Sequence, residues 1–301
     1  IKGGLSSAKK NYSAYIFIAP AIIGILAFTL YPMITSLYYS FFDYDILNPP
    51  RNFGFQNYIA PFTEAWAKGN FLQSIKITTI FTVISIPLSL VLSFSLALFL
   101  NRELKGIKVF RLIYYSPIII PSISLGLVWR NVTDYYYGIG NAMLGAIGLE
   151  PFAFLTSSST AMLTIFILGL FTTGAGMVLW LAQLKAIPQD FYEVANIEGC
   201  GFWRKLFTIT IPMCSPVIFY NIITGIIGSL QTFQSVYIMT GGTGGPENSL
   251  FFYVMNIYAE AMNKSNIGYA SALSWMLFVV IGALTLVIFK TSKWVFYGEE
   301  S

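Results

Sequence analysis

The sequence predicts an all-α fold: a polytopic membrane protein with six transmembrane helices and both termini in the cytoplasm. Hydrophobic residues make up 56% of the 301 residues and charged residues only 10%, whereas about a quarter of the residues in soluble proteins are charged. Uncharged apolar runs long enough to cross about 30 Å of hydrocarbon recur along the chain, and a helix satisfies every backbone hydrogen bond inside such a run. The six runs span residues 15–42, 77–100, 112–129, 161–184, 206–240 and 267–289.

The positions of Lys and Arg predict the orientation, because cytoplasmic loops of membrane proteins are enriched in these residues. With the amino terminus in the cytoplasm, most of the 17 Lys and Arg residues fall on the cytoplasmic side. The first apolar run is longer than the core of a signal peptide and has no evident cleavage site, so we expect a retained helix. The predicted organisation is a cytoplasmic segment 1–14, a membrane domain 15–290 and a cytoplasmic tail 291–301. The cations expected outside are Arg51, Lys68, Lys76, Arg130 and Lys264.

Several classes of catalytic and binding chemistry are disfavoured because the sequence lacks the residues that they require. The sequence has no histidine, which removes Ser-His catalysis and His-ligated zinc. No Gly-Lys pair occurs, so the glycine-rich stretch TGGTGGPENS, residues 240–249, is no phosphate-binding loop. Asp and Glu fall in loops or at helix ends, which leaves no evident residue for proton or sodium coupling. Cys200 and Cys214 are too few for a disulfide framework. The sequence therefore predicts a non-enzymatic pathway that binds no cofactor itself and depends on an external energy source.

The loop 185–212 is the most polar long stretch of the chain, so it cannot lie in lipid. Pro188 and Asp190 favour a helix start, Pro188 being expected in its first turn. Gly199 and Gly201 predict a turn, after which apolar spacing resumes from Phe202. We expect a helix, a turn and a second helix on the cytoplasmic face. An amphipathic connector lying along lipid headgroups is the alternative. The charges of the loop are Lys185, Asp190, Glu193, Glu198, Arg204 and Lys205.

A signature within this loop resembles that of permease subunits in binding-protein-dependent ATP-binding-cassette importers. Those permeases carry Glu-Ala-Ala, a glycine four residues later and a closing Leu-Pro; here Val194 replaces the first Ala and Ile211 replaces the Leu. From about residue 112 onward, the chain is similar to the maltose and multiple-sugar branch, and in particular to its first permease. The residues that carry the signature are Glu193, Val194, Ala195, Gly199, Ile209, Ile211 and Pro212.

The resemblance implies a set of partners and a bacterial or archaeal cytoplasmic membrane. The loop would dock on a separate ATPase, with Glu193 facing its basic or polar groups and Gly199 permitting the turn. ATP and magnesium would be held by two ATPase subunits. A second, homologous permease, an extracytoplasmic solute-binding protein and a carbohydrate complete the expected set, and no nucleic acid is involved. The residues assigned to ATPase coupling are Glu193, Ala195, Glu198, Gly199 and Pro212.

Polar and small residues recur at helical spacing in the fifth run and indicate a solute pathway. Helix packing through Gly225 and Ser229 is the alternative reading. The resemblance assigns sugar contacts to four positions of this run, Gly225, Gly228, Ser229 and Thr232, and to three positions of the fourth run. No cation lies at mid-membrane depth, which disfavours an acidic sugar or a phosphate. The predicted pathway residues are Phe171, Thr172, Ala175, Asn221, Thr224, Gly225, Gly228, Ser229, Gln231, Thr232 and Ser235.

The leading hypothesis is one permease of an ATP-driven carbohydrate importer that takes up an oligosaccharide and works by alternating access. An importer permease for a non-sugar or acidic-sugar solute is the alternative, followed by an ATP-independent channel or carrier. The external stretch DYYYGIGN, residues 134–141, is typical of an interfacial aromatic belt; docking of a solute-binding protein is the alternative function for it.

Overall fold

A computed structural model describes residues 12–63, 70–101 and 105–296, and this part of the chain is helical. Its one β pairing is an isolated antiparallel bridge between Asp43 and Arg51. The expected all-α class is therefore confirmed. Residues 1–11 of the predicted amino-terminal segment and residues 297–301 of the predicted tail lie outside the described residues. The α-helices are α1 Tyr12–Ile25, α2 Tyr31–Ser40, α3 Gln56–Ile59, α4 Asn70–Leu100, α5 Ile107–Tyr115, α6 Ser122–Val132, α7 Ile139–Ala146, α8 Ser158–Phe171, α9 Gly174–Ala186, α10 Gln189–Ile197, α11 Phe202–Lys205, α12 Ile211–Met213, α13 Ser215–Leu230, α14 Gln234–Met239, α15 Tyr253–Tyr258 and α16 Ile267–Lys290.

Within the described ranges, 4 helical segments are long and apolar enough to cross a membrane. The two remaining predicted spans are bent pairs of helices: α5 with its short extension meets α6 at 103°, and α8 meets α9 at 46°. The total is 6 only if each bent pair counts as one span. The prediction of six helices is thus an upper limit, and the run 112–129 is not one continuous helix. The unbroken segments are Tyr15–Ser40, Asn70–Leu100, Ser215–Met239 and Ile267–Lys290.

Prolines cause the sharper bend. Ile120 precedes Pro121 and is extended, with φ −76° and ψ 124°, because a proline disfavours helical backbone in the residue before it. Pro121 is itself extended, and α6 begins at Ser122. The prolines lie in a run that is otherwise uniformly apolar, so hydropathy alone does not reveal the break.

The second bend lies against the first. A Cβ on Gly174, the first residue of α9, would lie 1.8 Å from the carbonyl oxygen of Tyr114 in α5. Real Cβ atoms essentially never approach an atom below 3.0 Å, so only glycine fits where the two backbones meet.

Residues 66–256 and 278–301 form one compact unit, which holds both sites described below. At the carboxyl end of α4, Leu100 is fully buried in a cluster with Trp180, Ile187 and Cys214, against which Tyr192 packs. The segment 187–214 therefore lies at this end of α4. The chain's own carboxyl segment joins it through a hydrogen bond from the Phe296 N–H to Ser215 Oγ, at 2.7 Å.

The amino end of α4 lies against a different loop of the same unit. Gln73 donates from Nε2 to the carbonyl oxygens of Glu247 and Asn248, at 2.9 and 3.1 Å. Five residues further along α4, Thr78 accepts the N–H of Tyr253 at 2.9 Å. The glycine-rich turn 240–249 is thus at the opposite end of α4 from the segment 187–214. The Lys and Arg pattern predicts the cytoplasmic side for residues 187–214 and the outer side for residues 240–249, and this orientation stays a prediction.

Residues 1–65 and 257–277 form the second unit. Trp275 of α16 donates to Ser36 Oγ at 3.1 Å. Gly268 packs on the end of α2, where a Cβ would lie 2.1 Å from the carbonyl oxygen of Phe42. Glu260 is buried and forms an ion pair with Lys264 at 2.7 Å. This carboxylate lies before α16 and not within it, as expected for a chain without an ion-coupling residue in its spans.

Candidate functional site

The polar loop forms two helices joined by a tight turn, and we call residues 188–213 the elbow. Pro188 is extended, with ψ 137°, and α10 begins at the next residue. The proline therefore occupies the position just before the helix. The sequence predicts it one step later, in the first turn. Asp190 is in the first turn, where a negative charge is favoured by the helix dipole.

Gly199 ends α10 in a left-handed conformation, with φ +69°. The Cys200 N–H donates to the carbonyl of Ala195 at 2.9 Å, and the Gly199 N–H donates to that of Asn196 at 3.1 Å. These two hydrogen bonds form a Schellman motif, which satisfies carbonyls left free at a helix end. Gly201 is different, since its φ of −69° suits any residue. Only the first of the two predicted turn glycines is conformationally required.

Gly199→Ala is expected to lower the free energy of unfolding of the elbow by about 1 kcal/mol, because an L-residue is strained in left-handed backbone. Gly201→Ala is the matched control, since a Cβ at either position meets nothing within 4 Å. Amide hydrogen exchange of residues 189–205 would show faster exchange in the first variant alone. Equal exchange in both variants would contradict the assignment.

One face of the elbow packs inward. Ala195 is buried, and the Tyr192 hydroxyl lies 3.0 Å from Thr210 Oγ1. Thr210 ends a π-helical turn, Leu206–Thr210, immediately before the segment with Pro212. Because proline lacks an N–H, it cannot complete the regular hydrogen-bond ladder, and π-helical turns often occur at functional sites.

The other face carries apolar side chains and carboxylates together. Ile197 and Trp203 are 86% and 68% exposed, and the carboxylates of Glu193 and Glu198 lie on exposed residues of the same helix and its cap. Neither forms an ion pair within the described ranges, where Lys264–Glu260 is the ion pair found. Exposed aromatic and aliphatic groups with polar residues around them are typical of a protein-binding surface, and the unpaired carboxylates are complementary to a basic partner.

A second candidate site is a groove of about 510 Å³ between α4, the α8–α9 bend and α13. Thr172, Asn221, Thr224, Gly225, Gly228, Ser229 and Thr232 were predicted from the sequence, and all of them line it. The lining contains no charged side chain, so the groove suits an uncharged polar molecule. The remaining lining residues are Phe81, Ser85, Ile86, Ser89, Ser93, Gly169, Thr173 and Gly176.

The wall from α4 was missed by the sequence reasoning. Ser85, Ser89 and Ser93 are four residues apart and therefore share one face of the helix. This spacing was visible, but the surrounding run is apolar throughout, and nothing local showed which neighbour the serines would meet. Aromatic contacts fix the end of this wall: Phe81 stacks on Phe166 at 5.4 Å between ring centroids.

The glycines of the groove serve two purposes. A Cβ on Gly225 would lie 3.4 Å from Ile86, and one on Gly176 would lie 3.2 Å from Ser93. These glycines let helices approach, in agreement with the packing alternative. Gly228 has no atom within 4 Å of its Cβ position and is exposed, so it opens the groove. The structure thus supports packing at Gly225 and leaves Gly228 open, and the solute pathway stays a prediction.

Three predicted pathway residues do not line the groove. Phe171 packs edge-on against Trp129, with 5.8 Å between ring centroids. Gln231 is an exposed residue at the end of α13. The carbonyl of Ser235 faces α6, 3.2 Å from the Cβ position of Gly126. A helical face that continues from α13 into α14 predicts more residues than the groove contains, because the helix is interrupted between the two. The side chain of Ala175 lies outside the described part of the structure.

The tyrosine-rich stretch, residues 134–141, has a backbone held by side-chain hydrogen bonds. Asn141 is buried and donates to the carbonyls of Tyr135 and Phe152, at 3.0 and 3.1 Å, while it accepts the Phe152 N–H at 2.7 Å. Tyr136 and Tyr137 remain 82% and 91% exposed. The loop thus presents two tyrosines from a fixed backbone.

Comparison with known families decides the identity of the chain. Residues 86–295 match the family described as the inner membrane component of binding-protein-dependent transport systems. The chain belongs to this family. The match covers the α4 wall from Ile86 onward, the elbow and α13, so the groove and the elbow are features of a transport permease.

Individual relatives agree with this membership. The chain is 35% identical to a probable ABC transporter permease protein, YesP of Bacillus subtilis, over 100% of this chain and 97% of that protein. It is 32% identical to the trehalose/maltose transport system permease protein MalF of Thermococcus litoralis, over 93% of each. The lactose transport system permease protein LacF of Rhizobium radiobacter is 31% identical, over 96% of this chain and 97% of LacF.

The fold also matches a solved structure. A chain of a bacterial alginate ABC transporter, crystallised in complex with an alginate pentasaccharide-bound periplasmic protein, superposes with a TM-score of 0.83. The superposition covers 96% of each chain at 21% sequence identity. At this identity, the likeness concerns the fold of the permease.

Proposed function

We propose that this permease is a subunit of an ATP-driven importer that translocates a carbohydrate into the cytoplasm. The observation that carries the proposal is the groove: its lining is rich in hydroxyls and free of charge, as recognition of a sugar requires. Relatives named for trehalose/maltose and lactose transport support the same solute class. The chain itself carries out no chemistry in this proposal.

The energy would come from two ATPase subunits, which hold ATP and magnesium, docked at the elbow. The exposed apolar groups and free carboxylates of α10 favour docking to an ATPase over an amphipathic connector on the membrane. Anionic lipid headgroups would repel the carboxylates of Glu193 and Glu198. This assignment places the elbow, and with it both chain termini, in the cytoplasm. A second homologous permease and a solute-binding protein on the outer side complete the proposed assembly.

A continuous set of packed side chains connects the elbow with the groove. Ile187 and Tyr192 pack in the same cluster as Trp180, and Trp180 donates from Nε1 to Ser93 Oγ at 3.0 Å. Ser93 lines the groove. Close-packed side chains pass a displacement from one element to the next. Closure of the ATPases would therefore move the groove walls and open the groove alternately to the two sides of the membrane.

Reconstitution tests the proposed function directly. The complete importer in proteoliposomes is expected to take up labelled maltotriose, a neutral probe, only when ATP is enclosed with the ATPases and the binding protein is outside. Uptake by this chain alone, without ATP, would instead favour a channel or carrier. Uptake of neither maltotriose nor other sugars by an assembly that hydrolyses ATP would favour an importer for a non-sugar solute.

A further inference from the structure

The groove contains hydroxyls in two different hydrogen-bonding states. Most of them lie within hydrogen-bond distance of a backbone carbonyl of their own helix, as the hydroxyl of Thr224 does with Tyr220 O at 2.9 Å. A hydroxyl whose proton is used in this way retains lone pairs and acts towards a ligand as an acceptor. The same holds for Ser93, Thr172, Thr173, Ser229 and Thr232, whose acceptors are the carbonyls of Leu90, Gly169, Leu170, Ile226 and Gly228.

Ser85 and Ser89 are the exceptions. Their hydroxyls make no hydrogen bond with the described part of the chain, although both residues line the groove. Each can therefore donate to a ligand and accept from it at the same time. They lie on one face of α4, with their Cβ atoms about 5–6 Å apart, as expected for residues four positions apart in a helix.

We propose that Ser85 and Ser89 form the donor wall of the groove and select a neutral, polyhydroxylated solute. This inference rests on the proposed function. It adds which wall of the groove donates hydrogen bonds to the solute and that the solute is uncharged. A sugar hydroxyl is both donor and acceptor, so a site that binds it needs both kinds of partner. The opposite walls supply acceptors from threonine hydroxyls and one amide N–H from Asn221, and α4 supplies the hydroxyl donors.

The same contacts disfavour an acidic solute in the part of the pathway that this chain lines. A carboxylate taken from water requires charge-assisted donors, such as those of Arg or Lys, to offset its desolvation. The lining of this groove has none, and its free donors are neutral: the two serine hydroxyls and the second amide N–H of Asn221, whose first N–H bonds Val217 O. An acidic oligosaccharide would thus lose hydration without compensation from this chain, whereas a neutral one exchanges water for matching hydroxyls.

The test compares solutes and variants in the complete importer. Uptake of maltotriose and of trigalacturonate, a neutral and an acidic trisaccharide, is measured in proteoliposomes with the binding protein in excess. The Ser85→Ala/Ser89→Ala double variant is expected to slow maltotriose uptake by roughly 10-fold, since each lost neutral hydrogen bond accounts for a factor of about 2 to 12. Ser95→Ala is the control: this serine is on the same helix, outside the groove, and bonds its own helix at Val91 O.

A conservative variant separates contact from folding. Ser85→Thr/Ser89→Thr keeps both hydroxyls and is expected to restore uptake to within about 2-fold of the wild type. Unchanged maltotriose uptake in the alanine variant, or a wild-type preference for trigalacturonate, would overturn this inference and leave the importer in place. If the threonine variant is as slow as the alanine variant while both assemble, the hydroxyls are not the cause and the inference fails. A wild-type assembly that hydrolyses ATP and moves neither these probes nor any other sugar contradicts the proposed function itself.

Discussion

Gly174→Ala is expected to destabilise the packed permease strongly. The added Cβ would lie 1.8 Å from the carbonyl oxygen of Tyr114 and 2.8 Å from its carbonyl carbon. Both are backbone atoms of α5, so no side-chain rotation can relieve the overlap. Overpacking of a tight site costs about 1–3 kcal/mol, and this contact belongs at or above the upper end of that range.

Thermal unfolding of the purified permease measures this effect, with a drop in the apparent Tm of roughly 5 °C or more. Gly169→Ala is a matched control, because Gly169 is in the adjoining helix α8 and its Cβ position has no atom within 4 Å. A larger residue at position 174 should be worse, so Gly174→Val is expected to accumulate less folded protein than Gly174→Ala. A Gly174→Ala variant as stable as Gly169→Ala would show that α5 and α9 do not meet at this point.

Gly174 also illustrates which features a sequence can reveal. The elbow was predictable because its signals are local: Pro188 and Asp190 start a helix, and Gly199 ends it within ten residues. The approach of Gly174 to Tyr114 joins residues far apart in the chain, within two bends whose angles no hydropathy pattern encodes. The number and length of apolar runs therefore predicted the class of fold, while the bent spans required the structure.

The groove shows the same division between local and tertiary information. Polar residues at helical spacing identified Asn221, Thr224 and Thr232, because a polar face in an apolar helix has a local cause. The spacing did not show where that face ends, and Ser235 lies outside the groove. Conversely, Ser85 and Ser89 acquire their significance only from the approach of α13 to α4, where Ile86 meets Gly225. The alternation of packing and open positions along α13 is a property of two helices and not of either sequence alone.

Reversing the charge of Glu193 is expected to uncouple solute from ATP hydrolysis. The carboxylate is on the exposed face of α10 and has no ion pair among the described residues, so it is available to pair with a partner subunit. In the proposed assembly Glu193 meets basic or polar groups of the ATPase, and a lysine there would place like charges in contact. Breaking one partner of a buried charge pair is strongly unfavourable because the other charge remains unpaired. Solute-stimulated ATPase activity of Glu193→Lys is expected to fall at least about 10-fold, which is only 1.4 kcal/mol of coupling.

Glu150→Lys provides the matched control, since it makes the same charge change at an exposed carboxylate in the loop between α7 and α8. It is expected to leave stimulated hydrolysis unchanged. Glu193→Gln distinguishes repulsion from loss of attraction: if the neutral variant retains most of the stimulation and the lysine variant does not, the ATPase surface facing α10 is positively charged. Full stimulation in Glu193→Lys would contradict docking at this residue. In that event the exposed Ile197 and Trp203 would become the anchors to test, because buried aromatic and aliphatic groups supply most of the free energy of such interfaces.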